Sequence, residues 1–146
     1  VEGVYKNVGR TGVAFRILVV EDSEITRRMI RAVLETRAWT ICGEAENGLA
    51  GVKQFQALRP DVVVLDLTMP DIDGLEVAHR MSNLDPHVPL ILFTLCDMEE
   101  ILPAARRAGI YATVSKHRVL DLVRTIESAM EDRLLAPAYP ANKQQK

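Results

Sequence analysis

Five short apolar runs, each followed by a stretch with helical spacing, restrict this chain more than any other feature. The runs are Phe15–Val20, Trp39–Ala45, Val62–Leu65, Pro89–Leu95 and Tyr111–Ser115. Three of them, Phe15–Val20, Val62–Leu65 and Pro89–Leu95, read as strands covered on both faces. Trp39–Ala45 is more polar and is expected at the sheet edge. Strand then helix, five times over, calls for a parallel sheet with helices on both sides, a doubly wound α/β domain.

The helical stretches fit that plan. After a capping Ser23, residues Ile25, Met29, Ile30, Val33 and Leu34 recur at three- and four-residue spacing, which predicts one buried face. Arg27, Arg28, Arg31 and Arg37, interleaved with Glu24 and Glu35, then fall on a solvated face. Leu49, Val52, Phe55 and Leu58 mark the second helix, stopped at Arg59-Pro60 because the residue before proline is pushed out of the helical region. Leu75, Val77, Ala78 and Met81 mark the third. In the fourth, Pro103 lacks an N–H and crowds the preceding turn, so the helix is expected to start near Leu102 or to kink there, with Gly109 as its C-terminal cap. Val119, Leu122, Val123, Ile126 and Met130 give the fifth a continuous apolar stripe.

At 146 residues and 48% hydrophobic, the chain supports one core. The expected organisation is a lead-in over 1–14, a domain over 15–135, and a tail or linker start over 136–146 carrying two prolines. A net charge of −2 argues against a nucleic-acid surface on this domain. No apolar run reaches the roughly 18 residues of a membrane helix, and a cytoplasmic location is expected. Cys42 and Cys96 lack disulfide or zinc spacing and are expected to be reduced core residues.

The ends of four runs carry chemistry. The first delivers Glu21 and Asp22, the third Asp66, the fourth Thr94 and the fifth Lys116. If those strands are neighbours, the side chains converge on the carboxyl rim, where open α/β sheets bind ligands. Crowded carboxylates repel unless a cation lies among them, and Mg2+ suits one or two carboxylates completed by water and phosphate oxygens. A carboxylate so placed, with a lysine and a hydroxyl opposite, can itself accept a phosphoryl group. Asp66 would be the nucleophile, with Lys116 offsetting phosphoryl charge and the Thr94 hydroxyl bonding one oxygen.

Ile17-Leu-Val-Val-Glu-Asp22, Pro60-Asp-Val-Val-Val-Leu-Asp66, Met69-Pro-Asp-Ile-Asp-Gly74, Thr94 and Val114-Ser-Lys116 together resemble the receiver domains of two-component response regulators, in detail those of the NarL/LuxR-like class. The resemblance covers about Arg16 to Leu134. It implies a five-stranded sheet of order 2-1-3-4-5, the receiver fold. It further implies that Asp66 takes phosphate from a phosphohistidine on a sensor histidine kinase or phosphotransfer protein. Asp22, Asp66 and the backbone carbonyl of Thr68 would hold Mg2+, with Glu21 acting through water. Output would go through another protein or through an effector domain outside this sequence, such as a DNA-binding one. Homodimers through the fourth and fifth helices are common in the family.

The departures are specific. Receivers commonly carry Tyr or Phe where Thr113 stands, and Tyr111, about 6.6 Å away on the same strand face, is a candidate substitute. A small residue usually follows the threonine, but here it is Leu95, expected to narrow access to Asp66. Pro103 falls in the helix that contributes to the output surface. His117 after the lysine is not read as catalytic, and His79 and His87 are expected to be exposed. A pseudo-receiver that binds partners without phosphorylation is the alternative. A dehalogenase-type phosphohydrolase needs an acid where Thr68 stands, and a flavodoxin-like cofactor binder needs a phosphate-cradling loop where Glu21-Asp22-Ser23 is acidic. The domain is therefore read as a switch and not an enzyme.

Overall fold

The computed structural model describes residues 14–135, so residues 1–13 of the expected lead-in and the tail over 136–146 lie outside it. Five strands alternate with five helices: β1 Arg16–Val20, α1 Glu24–Leu34, β2 Thr40–Ala45, α2 Gly48–Leu58, β3 Val62–Leu65, α3 Gly74–Leu84, β4 Leu90–Thr94, α4 Met98–Arg107, β5 Ala112–Ser115 and α5 Leu120–Leu135. A short 3-10 turn, Lys116–Arg118, precedes α5. The strands are parallel in the order β2-β1-β3-β4-β5, as the sequence implied.

The apolar runs look featureless in sequence because both faces of the sheet are buried. Ile17, Val19, Val62, Val64, Ile91, Phe93 and Val114 pack with Ile30 and Leu34 of α1 and Leu122, Ile126 and Met130 of α5. Leu18, Val20, Val63, Leu65, Leu90 and Leu92 turn the other way, onto Phe55 of α2, Val77 and Met81 of α3, and Ala105 of α4. Alternation is present, but between two cores instead of core and water. Trp39 is buried beside Phe15, their ring centroids 5.4 Å apart, just ahead of the edge strand β2.

Three helix readings are corrected. Ile25 is 80% exposed, and the stripe of α1 that meets the sheet is Arg27, Ile30 and Leu34, at i, i+3 and i+7. The apolar spacing hid an arginine in that stripe. Leu49, read as a core residue of α2, is also exposed, in the first turn of its helix. α4 starts at Met98, four residues before Leu102, so Pro103 lies inside it. The Asp97 side chain accepts from the Glu99 N–H at 2.8 Å, and Glu99 and Glu100 sit at the positive end of the helix dipole. Those first-turn gains oppose the proline's cost, and Glu99, whose carbonyl loses its partner, is exposed to water. Gly109 closes α4 with φ +89, as expected. Cys96 is exposed rather than in the core, and Cys42 is half-buried; both are free thiols. Among the described residues no helix is long and apolar enough to cross a membrane.

Candidate functional site

The register of the sheet brings the acids together. Val20 pairs with Leu65, so the chains of β1 and β3 end level and release Glu21 and Asp66 side by side. The Asp66 N–H donates to the Val20 carbonyl at 2.9 Å, and the Glu21 N–H to the Ala45 carbonyl of β2 at 2.9 Å. Thr94 pairs with Ser115, which places Lys116 one step beyond the rim. Glu21 (1% exposed), Asp66 (5%) and Thr94 are buried, while Asp22 is exposed. Carboxylate oxygens of Glu21, Asp22 and Asp66 all lie within 4.8 Å of one another.

Lys116 closes the pocket. Its Nζ lies 2.7 Å from Glu21 Oε1 and 3.2 Å from Asp66 Oδ1. Burial alone would pull the lysine pKa down, but the hydrogen bonds and charges of Glu21 and Asp66 outweigh it and hold the ammonium above its ordinary value. Burial also pushes the Glu21 carboxyl up to about 7, against the pull of Lys116 and of the Ser23 N–H, which donates to Oε2 at 3.1 Å. One cation thus serves two buried carboxylates. The Thr94 Oγ1 accepts from the Cys96 N–H at 3.1 Å, leaving its own proton to donate elsewhere.

The motif around Asp66 has a structural logic of its own. The Gly74 N–H donates to the Leu67 carbonyl at 2.7 Å, bringing the start of α3 against the end of β3. Asp73 caps α3 through the Glu76 N–H at 2.9 Å. Asp71 reaches across to α2 and accepts from the N–H groups of Gly48 and Leu49, each at 2.8 Å. Those backbone bonds hold its carboxyl below the usual carboxylate range. Thr68 is exposed in the same loop.

The remaining candidates scatter. Leu95, the residue after β4, is 64% exposed. The Tyr111 hydroxyl donates to Asp132 Oδ2 of α5, and burial together with that carboxylate pushes the phenol up to about 12. Tyr111 is therefore tied to α5 at the opposite end of β5 from Lys116. The Thr113 hydroxyl is buried without a hydrogen-bond partner among the described residues. Pro103 is exposed on α4, His79 and His87 are exposed as expected, and His117 is exposed too.

Sequence reasoning missed Arg27. Assigned to a solvated face, it is only 8% exposed, and its Nη1 donates to the carbonyls of Glu21 at 2.7 Å and Asp22 at 3.2 Å. A buried arginine must be paired, and the acidic Glu44-Ala-Glu46 end of β2 was the available signal.

Comparison with known proteins agrees with the geometry. Residues 17–127 match the family described as the response regulator receiver domain. A chemotaxis protein CheY of Halobacterium salinarum is 34% identical over 103 residues, covering 70% of this chain and 85% of that protein. The solved two-component response regulator of the LuxR family from Aurantimonas sp. SI85-9A1 is 27% identical with a TM-score of 0.79, covering 91% of this chain and 94% of that one, which supports the NarL/LuxR-like resemblance. The CheX-CheY-BeF3-Mg+2 complex from Borrelia burgdorferi, at 22% identity, TM-score 0.77 and coverage of 82% and 92%, shares the fold. With more than half of its length matched, and with the strand order in agreement, the chain belongs to the receiver domain family of two-component response regulators.

Proposed function

We propose that this domain is a phosphoacceptor switch: Asp66 takes a phosphoryl group from a phosphohistidine on a sensor histidine kinase or phosphotransfer protein, and the modified domain offers a changed surface to its effector. The observation that carries the reading is the buried Asp66 carboxylate held between Lys116 and the acids Glu21 and Asp22. In the transfer an Asp66 oxygen attacks phosphorus, the P–N bond breaks, and the imidazole keeps the electron pair and takes up a proton. Lys116 exchanges part of its contact with Glu21 and Asp66 for the incoming phosphoryl oxygens. Thr94 donates its free hydroxyl proton to one of them.

The donor set fits a hard divalent cation, since three carboxylates within 4.8 Å of one another are all-oxygen ligands whose repulsion a single lysine offsets only in part. Asp22, Asp66 and the Thr68 carbonyl would hold Mg2+, with Glu21 reaching it through water. When bound, Mg2+ supplies charge neutralisation for the phosphoryl oxygens.

The switching elements are those least anchored on the rim side. α4 buries only Ala105 and contains Pro103, and the buried Thr113 hydroxyl on β5 lacks a partner among the described residues, so a rearrangement that satisfies it is favoured. Amide shifts test this. With Mg2+ and beryllofluoride, a phosphoryl mimic, resonances of 21–23, 66–68 and 94–96 are expected to move together with those of α4 and β5. Absence of any change at the acid rim would contradict the reading.

A protein donor must land on the rim, because Asp66 is nearly buried. Ile25 and Leu120, in the first turns of α1 and α5, are large exposed apolar side chains at that edge. Ile25→Asp is expected to slow transfer from a phosphorylated kinase by at least about tenfold, the effect of losing a central apolar contact. The rate with acetyl phosphate should stay unchanged. Equal slowing with both donors would place the defect in the pocket instead.

A further inference from the structure

Arg27 occupies a sheet-facing position of α1 where the pattern of Ile30 and Leu34 calls for an apolar residue. A buried guanidinium is costly unless its donors are met, and here they are met in an organised way. Nη1 spans two successive carbonyls, Glu21 at 2.7 Å and Asp22 at 3.2 Å. On the other side, Nε lies 3.3 Å from Glu44 Oε1 and Nη2 lies 3.6 Å from Glu46 Oε1. Glu44 is itself fixed by Arg31, whose Nη1 donates to both of its oxygens at 2.6 and 2.8 Å. The edge strand β2 therefore grips Arg27, and Arg27 grips the backbone of the two residues that carry the acid pair.

Charge alone does not account for this placement. A positive guanidinium near a cation site opposes cation binding. What Arg27 contributes must come through geometry. Asp22 is exposed in the loop between β1 and α1, so the direction of its carboxylate depends on how that backbone is held.

We infer that Arg27 is a positioning residue for the divalent-cation site, acting through the Glu21 and Asp22 carbonyls, with Glu44 and Glu46 as its holders. The inference rests on the reading of the acid cluster as that site. Loss of a group that orients metal ligands from behind them costs about 10- to 100-fold in metal affinity. Arg27→Met, which removes the charge but keeps an apolar stem, is the decisive variant. Positioning weakens its Mg2+ binding by about tenfold, whereas a through-space charge effect strengthens it.

The experiment has two arms on the intact chain. In the first, Mg2+ titrations by calorimetry compare wild type, Arg27→Met, Arg27→Lys and Glu44→Gln. Weaker binding in both Arg27 variants, with a smaller loss in Glu44→Gln, is expected. Unchanged or tighter binding in Arg27→Met overturns the proposal, even if its melting temperature falls. In the second arm, hydrogen exchange without metal is followed at the Asp22 and Ser23 amides. Exchange about tenfold faster than in wild type, beyond any change in the sheet, is expected. Exchange that rises no more than in the sheet overturns the positioning role. If wild type itself binds no Mg2+, the reading of the acid cluster fails, while the exchange arm still decides whether Arg27 holds the loop. Glu44→Gln keeps the test open should the Arg27 variants not fold.

Discussion

Replacing Gly74 with alanine is expected to cost the fold about 3 kcal/mol, the upper end for overpacking a close-packed site. A Cβ at this position would lie 2.2 Å from the Asp66 carbonyl oxygen, 2.8 Å from Leu67 Cα and 3.0 Å from the Asp66 carbonyl carbon. All three neighbours are backbone, so no side chain can swing aside. Either α3 lifts off the end of β3, breaking the bond from the Gly74 N–H to the Leu67 carbonyl, or the Asp66 peptide shifts. The melting temperature should fall by about 10 °C in a domain of this size. Any protein that folds should also phosphorylate more slowly, since the backbone of Asp66, the proposed nucleophile, has moved. A fall of less than about 2 °C would contradict the account of why glycine stands there.

Lys116→Met is the second large effect, and it has two signs. The ammonium bridges Glu21 and Asp66, at 2.7 and 3.2 Å. Without it two buried carboxylates face each other unbalanced, and breaking a buried ion pair in this way costs about 3 kcal/mol in the absence of divalent cation. A metal at these carboxylates no longer competes with the ammonium for the same oxygens. Mg2+ should therefore bind about tenfold more tightly, the fraction of a close charge interaction that survives relaxation and solvent. Melting curves with EDTA and with Mg2+ measure the first effect, and calorimetric titration the second. Phosphoryl transfer should slow even with Mg2+ saturating, because the charge offset on the phosphoryl oxygens is gone. Unchanged Mg2+ affinity in this variant would show that Lys116 is not held in the pocket by the acids.

The architecture and the rim were legible because they depend on features that sequence records directly. Unbroken apolar runs such as Val62–Leu65 mark strands covered on both faces, and the residues one step past each run are the ones a parallel sheet collects at its edge. The errors arose where a side chain breaks the local rule for a tertiary reason. Arg27 sits in an apolar stripe because Glu44 of β2 and Glu46 just after it hold it, and no spacing within α1 reveals a partner on another element. Ile25 and Leu49 keep helical spacing yet stand in first turns that project beyond the sheet. Pro103 does not set the start of α4, because a capped and acidic first turn supports the helix from Met98 onward. The part Asp71 plays was not legible in sequence, since it accepts from the first N–H groups of a helix that lies 22 residues earlier in the chain.

Whether Asp66 accepts a phosphoryl group in the presence of Mg2+ is read by intact-mass spectrometry. The chain would be incubated with a phosphorylated histidine kinase or with acetyl phosphate, in Mg2+ or in EDTA, beside Asp66→Asn. One added phosphoryl group in Mg2+, absent in EDTA and absent in Asp66→Asn, is the expected result. No added mass from either donor, in a protein shown by titration to bind Mg2+, would contradict the account and leave a receiver fold that works as an interaction module without phosphorylation.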